Sequence, residues 1–444
     1  MHGKLASFLS GDVLVIIAEK KRLDLSGTAG EHWFSRPITT CQICNNKQLK
    51  NILFLGYIPP VNTLHEIGSV PKQHITFPLE LLFCSQCSLV QIGVDVDQSI
   101  LFPLEYPYLS GNTKILRDNF SELYIESLNL LELQSQDLII DIGSNDGTLL
   151  SNFFQKGHPV LGIEPTLASN VALCKGIPTL RAFFNPQIAS EVWKQYGPAK
   201  VITATNVFAH ISDIHDVIES IKLLLSEDGV FISESHYLVK LIETLQYDTV
   251  YHEHLRYYTL TSLASLFNAH DMEIFHAKSI ATHGGSIRVY AAKKGQREML
   301  SSVENLLNHE RTSGIIDGTA FKQFSQNVVA SKLELLTLLA GLKKEGKKIV
   351  AIGSPSRSST LVNYVGLDNN IIDCVYEVST SFKLNKYIPG TRIPIVDECG
   401  LYTAQPDFAL LFSWHIADEI IENLRMKSYR GKFIIPLPSP RIVD

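Results

Sequence analysis

The chain has 444 residues, 45% of them hydrophobic and 19% charged, with a formal net charge of −6. This is more than one ordinary core can organise, so two or three domains are expected, and the composition excludes a disordered protein. The acidic balance argues against a nucleic-acid partner, and no run approaches the roughly 20 apolar residues needed to span a bilayer.

Residues 1–40 carry no clear period and read as an N-terminal extension without a role in chemistry. The apolar run Val13–Ala18 is followed, not preceded, by Lys20, Lys21 and Arg22. That is the reverse of a signal peptide, so a cytoplasmic protein is expected. Next come two C-x-x-C pairs, Cys41/Cys44 and Cys84/Cys87. Two thiolates at that inner spacing, twice, suit one tetrahedral Zn²⁺ with no open position, which would hold a fold and do no chemistry. The competing redox reading wants a βαβ context that is missing here. A small zinc-binding domain over 41–100 is therefore expected. Cys174, Cys374 and Cys399 are isolated and read as small buried hydrophobes. Tyr106 and Tyr108, set among prolines, suit either a pocket lining or a domain junction.

From Asp137 onward strand and helix patterns alternate. Apolar runs fall at 159–164, 200–206 and 229–234, separated by helix-compatible segments, the signature of a doubly wound parallel sheet. Two further runs, 272–280 and 286–293, flank the turn Thr282-His283-Gly284-Gly285 and read as an antiparallel pair. The first strand ends in Asp141-Ile-Gly143-Ser-Asn145-Asp146-Gly147. A glycine turn at the carboxyl end of such a strand is where open α/β sheets bind ligands. Its G-x-x-x-G spacing is neither the dinucleotide fingerprint nor a P-loop. Glu164, roughly 20 residues on at the end of the next strand, stands where a ribose hydroxyl is gripped. Residues 101–295 thus form a nucleoside-binding domain. Residues 296–345 carry helical periodicity and connect to a second alternating unit over 346–444. That unit opens with a strand, the turn Gly353-Ser-Pro-Ser-Arg357 and a helix start, a plausible seat for an anion.

The densest chemistry lies in Tyr251-His252-Glu253-His254, with His210 past a strand end and His283 in the glycine turn. Several imidazoles near a cofactor site suit proton transfer at neutral pH. Taken in order, the two C-x-x-C pairs, Tyr106-x-Tyr108-x-Ser110, the loop 141–148, Asn206-Val-x-Ala-His210-Ile-x-Asp-Ile-His215, Tyr251-x-Glu253-His254, Thr282-His-Gly-Gly-Ser286, Asn363-Tyr364 and Pro389–Ile395 resemble the S-adenosylmethionine (SAM)-dependent sugar C-methyltransferases. The likeness covers about 41 to 440.

The resemblance implies an α/β chain with a small zinc-binding domain, a central Rossmann-like class I methyltransferase domain and a C-terminal α/β sugar-nucleotide-binding domain. It implies methyl transfer to a carbon, commonly C3, beside the ketone of a TDP- or GDP-linked 4-keto-6-deoxy sugar. His254 would be the base with Tyr251 and Glu253 beside it, and His210 a second polar group near the C4 oxygen. Gly143, Asn145, Asp146, Glu164 and Asn206 would contact SAM. Tyr108 and Tyr106 would shape the sugar pocket, with His283, Arg357 and Lys383 as further substrate contacts. A monomer is expected, with a dimer allowed. The chain departs from the family pattern at three places: Arg357 replaces a lysine, Glu377 an aspartate, and His236 a proline. Methylation of oxygen or nitrogen on a small metabolite, and a non-catalytic binding protein, are the alternative readings.

Overall fold

The computed structural model describes residues 34–70, 74–102 and 109–444. Tyr106, Tyr108 and nearly all of the expected 1–40 extension lie outside the described residues. The chain forms two compact units, one within 104–204 and 220–229, the other within 33–103, 205–219 and 230–444.

The first unit is built on parallel strands in the order Ala199–Thr205, Ile139–Ile142, Val160–Ile163, Thr179–Leu180. Every residue of Ile139–Ile142 and Val160–Ile163 is buried, as expected of strands covered on both faces. Helices Lys114–Leu131, Thr148–Phe154, Ala168–Cys174 and Pro186–Tyr196 accompany them. Pro186 stands at the start of the last of these, where its missing N–H costs nothing, and the Asn185 side chain accepts from Ile188 N.

In the second unit the strands Leu49–Ile58, Phe77–Cys84, Val90–Ile92 and Arg256–Tyr257 make one antiparallel sheet. The last of these begins two residues after His254, so the histidine-rich stretch is hydrogen-bonded into the cysteine-bearing module. Met272–Ile280 and Ser286–Lys293 pair antiparallel as expected, and Ser286–Lys293 also pairs with Leu225–His236 from Val230 onward. Helices Ser301–Thr312 and Ala320–Lys344 occupy the expected helical stretch. The C-terminal sheet has five parallel strands in the order Lys432–Ile435, Phe408–Leu411, Ile349–Ile352, Val375–Glu377, Pro394–Asp397. Antiparallel strands flank it: Arg441–Val443 on one side, Lys386–Tyr387 and then His65–Glu66 on the other. No described helix is long and apolar enough to cross a membrane.

Candidate active site

The nucleoside turn lies wholly in the first unit. Gly143 (φ 71) and Asn145 (φ 50) both take left-handed backbone, which turns the chain sharply off the strand end. Glu164 is 5% exposed; its Oε2 accepts from Asn145 N at 2.9 Å and its Oε1 from Thr166 N and Oγ1. Oε2 keeps a lone pair for a ribose hydroxyl. Asp146 is turned to internal work: Oδ1 caps the following helix through Thr148 N and Oγ1, while Oδ2 accepts from Gly111 N and Lys175 Nζ. Ser144 Oγ is buried with no partner among the described residues, an orphan that a bound polar ligand would satisfy. Glycine turn, acidic residue and orphan hydroxyl fit the ribose and polar tail of an adenosyl cofactor.

In the second unit four imidazoles that are far apart in sequence come together. His254 lies 4.9 Å from His210 and 4.7 Å from His236 between ring centroids, and His236 lies 5.7 Å from His283. Tyr251 covers His254 at 4.1 Å, and His210 stacks on Phe102. His254 Nδ1 is 2.9 Å from Thr249 O. A carbonyl can only accept, so Nδ1 carries the proton and Nε2 presents a lone pair. Burial lowers His254 to about 4, helped by the charges of His283 and Arg357. Burial likewise takes His283 to about 4 and holds His210 and His236 well below the ordinary 6.5. The cluster is therefore neutral at physiological pH, the form a base requires.

The His283 turn is itself constrained. His283 has φ 57, unusual for a residue with a side chain, and a Cβ on Gly285 would come within 2.6 Å of Lys240 Cβ. Gln246 Nε2 donates to Gly284 O at 2.7 Å, and Gln246 Oε1 accepts from Arg357 Nη2 at 2.9 Å. Arg357 is 5% exposed and spends the rest of its fork on Asp248 Oδ2 through Nε (3.2 Å) and on His415 Nδ1 through Nη1 (2.6 Å). Trp414 Nε1 donates to the same Asp248 oxygen. The guanidinium thus clamps the stretch leading to His254 through Gln246 and Asp248, and Thr360 Oγ1 adds a bond to Val250 O. Lys383 Nζ donates to Ser354 O, with Glu377 and Glu253 as its acidic neighbours. Glu253 is buried and accepts from Asn62 Nδ2 at 2.7 Å. Asn206 (φ 57) donates its backbone N–H to Glu234 O, and its Oδ1 is buried without a partner among the described residues.

Asn62, Gln246, Asp248, Trp414 and His415 were not singled out from sequence. Trp414 and His415 lie just past the carboxyl end of strand Phe408–Leu411, where the open-sheet rule places ligand-facing residues. Asp248 sits six residues before His254, an acid in an otherwise aromatic stretch.

Of the isolated cysteines, expected to be buried, Cys174 and Cys399 are exposed on short helices and Cys374 is half-buried. The four cysteines Cys41, Cys44, Cys84 and Cys87 bring their sulfurs within 4.8 Å of one another. The closest pairs are 3.4 Å (Cys41–Cys87) and 3.5 Å (Cys44–Cys84), near the ~3.8 Å edge of a ZnS₄ tetrahedron. A hydrogen bond from Cys87 pulls the Cys41 thiol down to about 5, toward the thiolate a metal takes. Within this knuckle Gln42 Oε1 accepts from Arg256 Nη1, two residues past His254, and Gln42 N donates to Gln91 Oε1.

Three family profiles match the chain in order: a zinc binding domain over 41–102, a methyltransferase domain over 116–277 and a C-methyltransferase C-terminal domain over 281–438. The chain is 31% identical over 412 residues to the C-methyltransferase NovU of Streptomyces niveus, covering 92% of this chain and 98% of that one. Among solved structures it is similar to a SAM-dependent methyltransferase from Clostridium acetobutylicum ATCC 824 (15% identity, 42% of this chain, 94% of that chain, TM-score 0.33). It is also similar to the magnesium protoporphyrin IX methyltransferase ChlM of Synechocystis PCC 6803 with bound SAH (12% identity, 40% and 83% coverage, TM-score 0.32).

Proposed function

The chain belongs to the SAM-dependent C-methyltransferases with an N-terminal zinc-binding domain, and we propose that it methylates a carbon, C3, beside the ketone of a nucleotide-linked 4-keto-6-deoxy sugar. The observation that carries this is His254: Nδ1–H fixed on Thr249 O, Nε2 unprotonated, among imidazoles held neutral. A carbon is not nucleophilic until a proton α to the carbonyl is removed, and His254 Nε2 is the group suited to take it. His210 then faces the negative charge that builds on the ketone oxygen. Tyr251, tilted 35° against the His254 ring at 4.1 Å, restricts that ring, and Glu253, tied to Asn62, anchors the chain just before the base.

SAM supplies the electrophilic methyl group; Gly143, Asn145 and Glu164 hold its ribose end, and Asp146 keeps the turn in shape. Zinc, held by Cys41, Cys44, Cys84 and Cys87, stiffens the module into which the strand after His254 is paired. Lys383 and the Gly353 turn contribute the polar surface expected to meet the nucleotide diphosphate. Arg357 acts on the diphosphate only indirectly, since its fork is committed to Asp248, His415 and Gln246.

Incubating the zinc-loaded protein with SAM and TDP- or GDP-linked 4-keto-6-deoxy sugars, followed by mass spectrometry, tests the assignment. A gain of one methylene on the sugar nucleotide is expected. Methyl transfer to none of these sugars, with turnover on an unrelated small metabolite, would overturn it.

A further inference from the structure

His254 has an exit problem. Its Nδ1–H is committed to Thr249 O, so a proton taken at Nε2 cannot leave through the far side of the ring. The residue is 7% exposed, which restricts direct transfer to bulk water. Yet each turnover must return the base to its neutral form. His210, 4.9 Å away, is engaged on the ketone side and stacked on Phe102. The remaining imidazole beside His254 is His236, the last residue of strand Leu225–His236.

We propose that His236 takes the proton from His254 and passes it by way of His283 to solvent, so that the second unit contains a three-imidazole relay. This rests on the reading of His254 as the base. The C–H bond α to the ketone breaks and its electron pair stays on the substrate. The proton moves from His254 Nε2 to a His236 nitrogen, His236 releases one from its other nitrogen to His283, and water receives it.

The geometry suits each handover. A centroid spacing of 4.7 Å becomes a nitrogen–nitrogen hydrogen bond by ring rotation. His236 and His283 stack at 5.7 Å with planes 27° apart, and His236 and His283 are only half-buried, so the chain runs outward from the buried base. His283 Nε2 is buried without a partner among the described residues, an open position in a relay. The left-handed backbone at His283 and the Gln246–Gly284 bond hold that turn in place beside His236. The charged and titratable groups facing His236 are His254, His283, Arg357 and His210, and all disfavour a resident proton there. His254 and His283 are both lowered to about 4 and His236 is held well below 6.5, so none of the three rings retains the proton it is handed at neutral pH.

The test follows TDP-4-keto-6-deoxyglucose in D₂O with the zinc-loaded full chain, comparing His236→Asn, His254→Asn and the unaltered protein. For His236→Asn, methyl transfer in the first turnover is preserved. Steady-state turnover and deuterium entry at the α carbon fall roughly tenfold, and added imidazole restores both. Deuterium entry and turnover unchanged in His236→Asn would overturn the relay. So would loss of the first turnover that imidazole does not restore, because His236 would then only position its neighbours. A His254→Asn protein that still exchanges and methylates would instead remove the base reading, a result distinct from either.

Discussion

Two turns in this chain share a backbone and differ in purpose. In each, a strand ends in a glycine of positive φ, Gly143 at 71 and Gly353 at 76. Each glycine N–H donates at 2.8 Å to the carbonyl before an acidic residue on the neighbouring strand, Ile163 O and Tyr376 O. That acid then accepts a backbone N–H of the turn: Glu164 from Asn145 at 2.9 Å, Glu377 from Ser354 at 2.6 Å. Beyond that point they part. The first runs into Asp146, which caps its own helix and leaves the turn open to a nucleoside. The second runs into Arg357, which reaches away from its own sheet and clamps the stretch leading to His254. Two turns that start alike thus end in different work: one is left open to a ligand, and the other, through one cation, holds the histidine-rich stretch in place.

The largest effect expected is for His254→Asn. It removes the proposed base but touches neither turn, so methyl transfer falls by roughly a thousandfold while calorimetric SAM affinity stays at the level of the unaltered protein. A parallel loss of SAM affinity would mean that the two regions are not separable.

Breaking the second turn comes next. Arg357→Met leaves Asp248, a carboxylate whose ordinary acidity burial already opposes, buried without its cation and with Trp414 Nε1 as its remaining side-chain donor. A loss of about 3–5 kcal/mol in urea unfolding is expected. Arg357→Met combined with Asp248→Leu recovers much of that stability but not the turnover, since the clamp on the reaction loop is gone.

The acids sharpen the contrast. Glu164→Gln, which loses a charged acceptor for the ribose and for Asn145 N, weakens SAM binding by roughly tenfold. Glu377→Gln leaves SAM affinity unchanged and raises the KM for the sugar nucleotide. Equal effects of the two on SAM would erase the distinction between the turns.

The last effect is in pH. With His254 and His283 lowered to about 4, the acid limb of kcat/KM lies near 4 and not near 6.5. The sign for stability follows from the same shift. The unfolded chain binds more protons than the native one between those values, so the contribution is full above about 6.5 and is lost as pH falls toward 4. A stability profile flat across that window would contradict the buried, neutral cluster.

Local features were legible in the sequence wherever one stretch of chain carries the whole signal. The strands at 139–142 and 349–352, the hairpin of 272–280 with 286–293, and the paired cysteines all follow from period, glycine and spacing. The histidine cluster was only partly legible. His210, His254 and His283 stood out as residue types past strand ends or in turns, but what holds them depends on contacts between segments more than 100 residues apart. Arg357 with Gln246, Asn62 with Glu253 and Gln42 with Arg256 are such contacts. No periodicity reports a pairing of that kind. Asp146 shows the converse: its motif position suggests a ligand contact, while its carboxylate is spent on Thr148, Gly111 and Lys175.

The measurement closest to the central claim is the carbon bearing the new methyl. With SAM carrying a ¹³C-labelled methyl and a TDP-linked 4-keto-6-deoxy sugar, the account predicts a label bonded to the sugar carbon next to the ketone, read from carbon–carbon coupling in the product's NMR spectrum. A label on oxygen or nitrogen, or on a carbon with no neighbouring ketone, would contradict it.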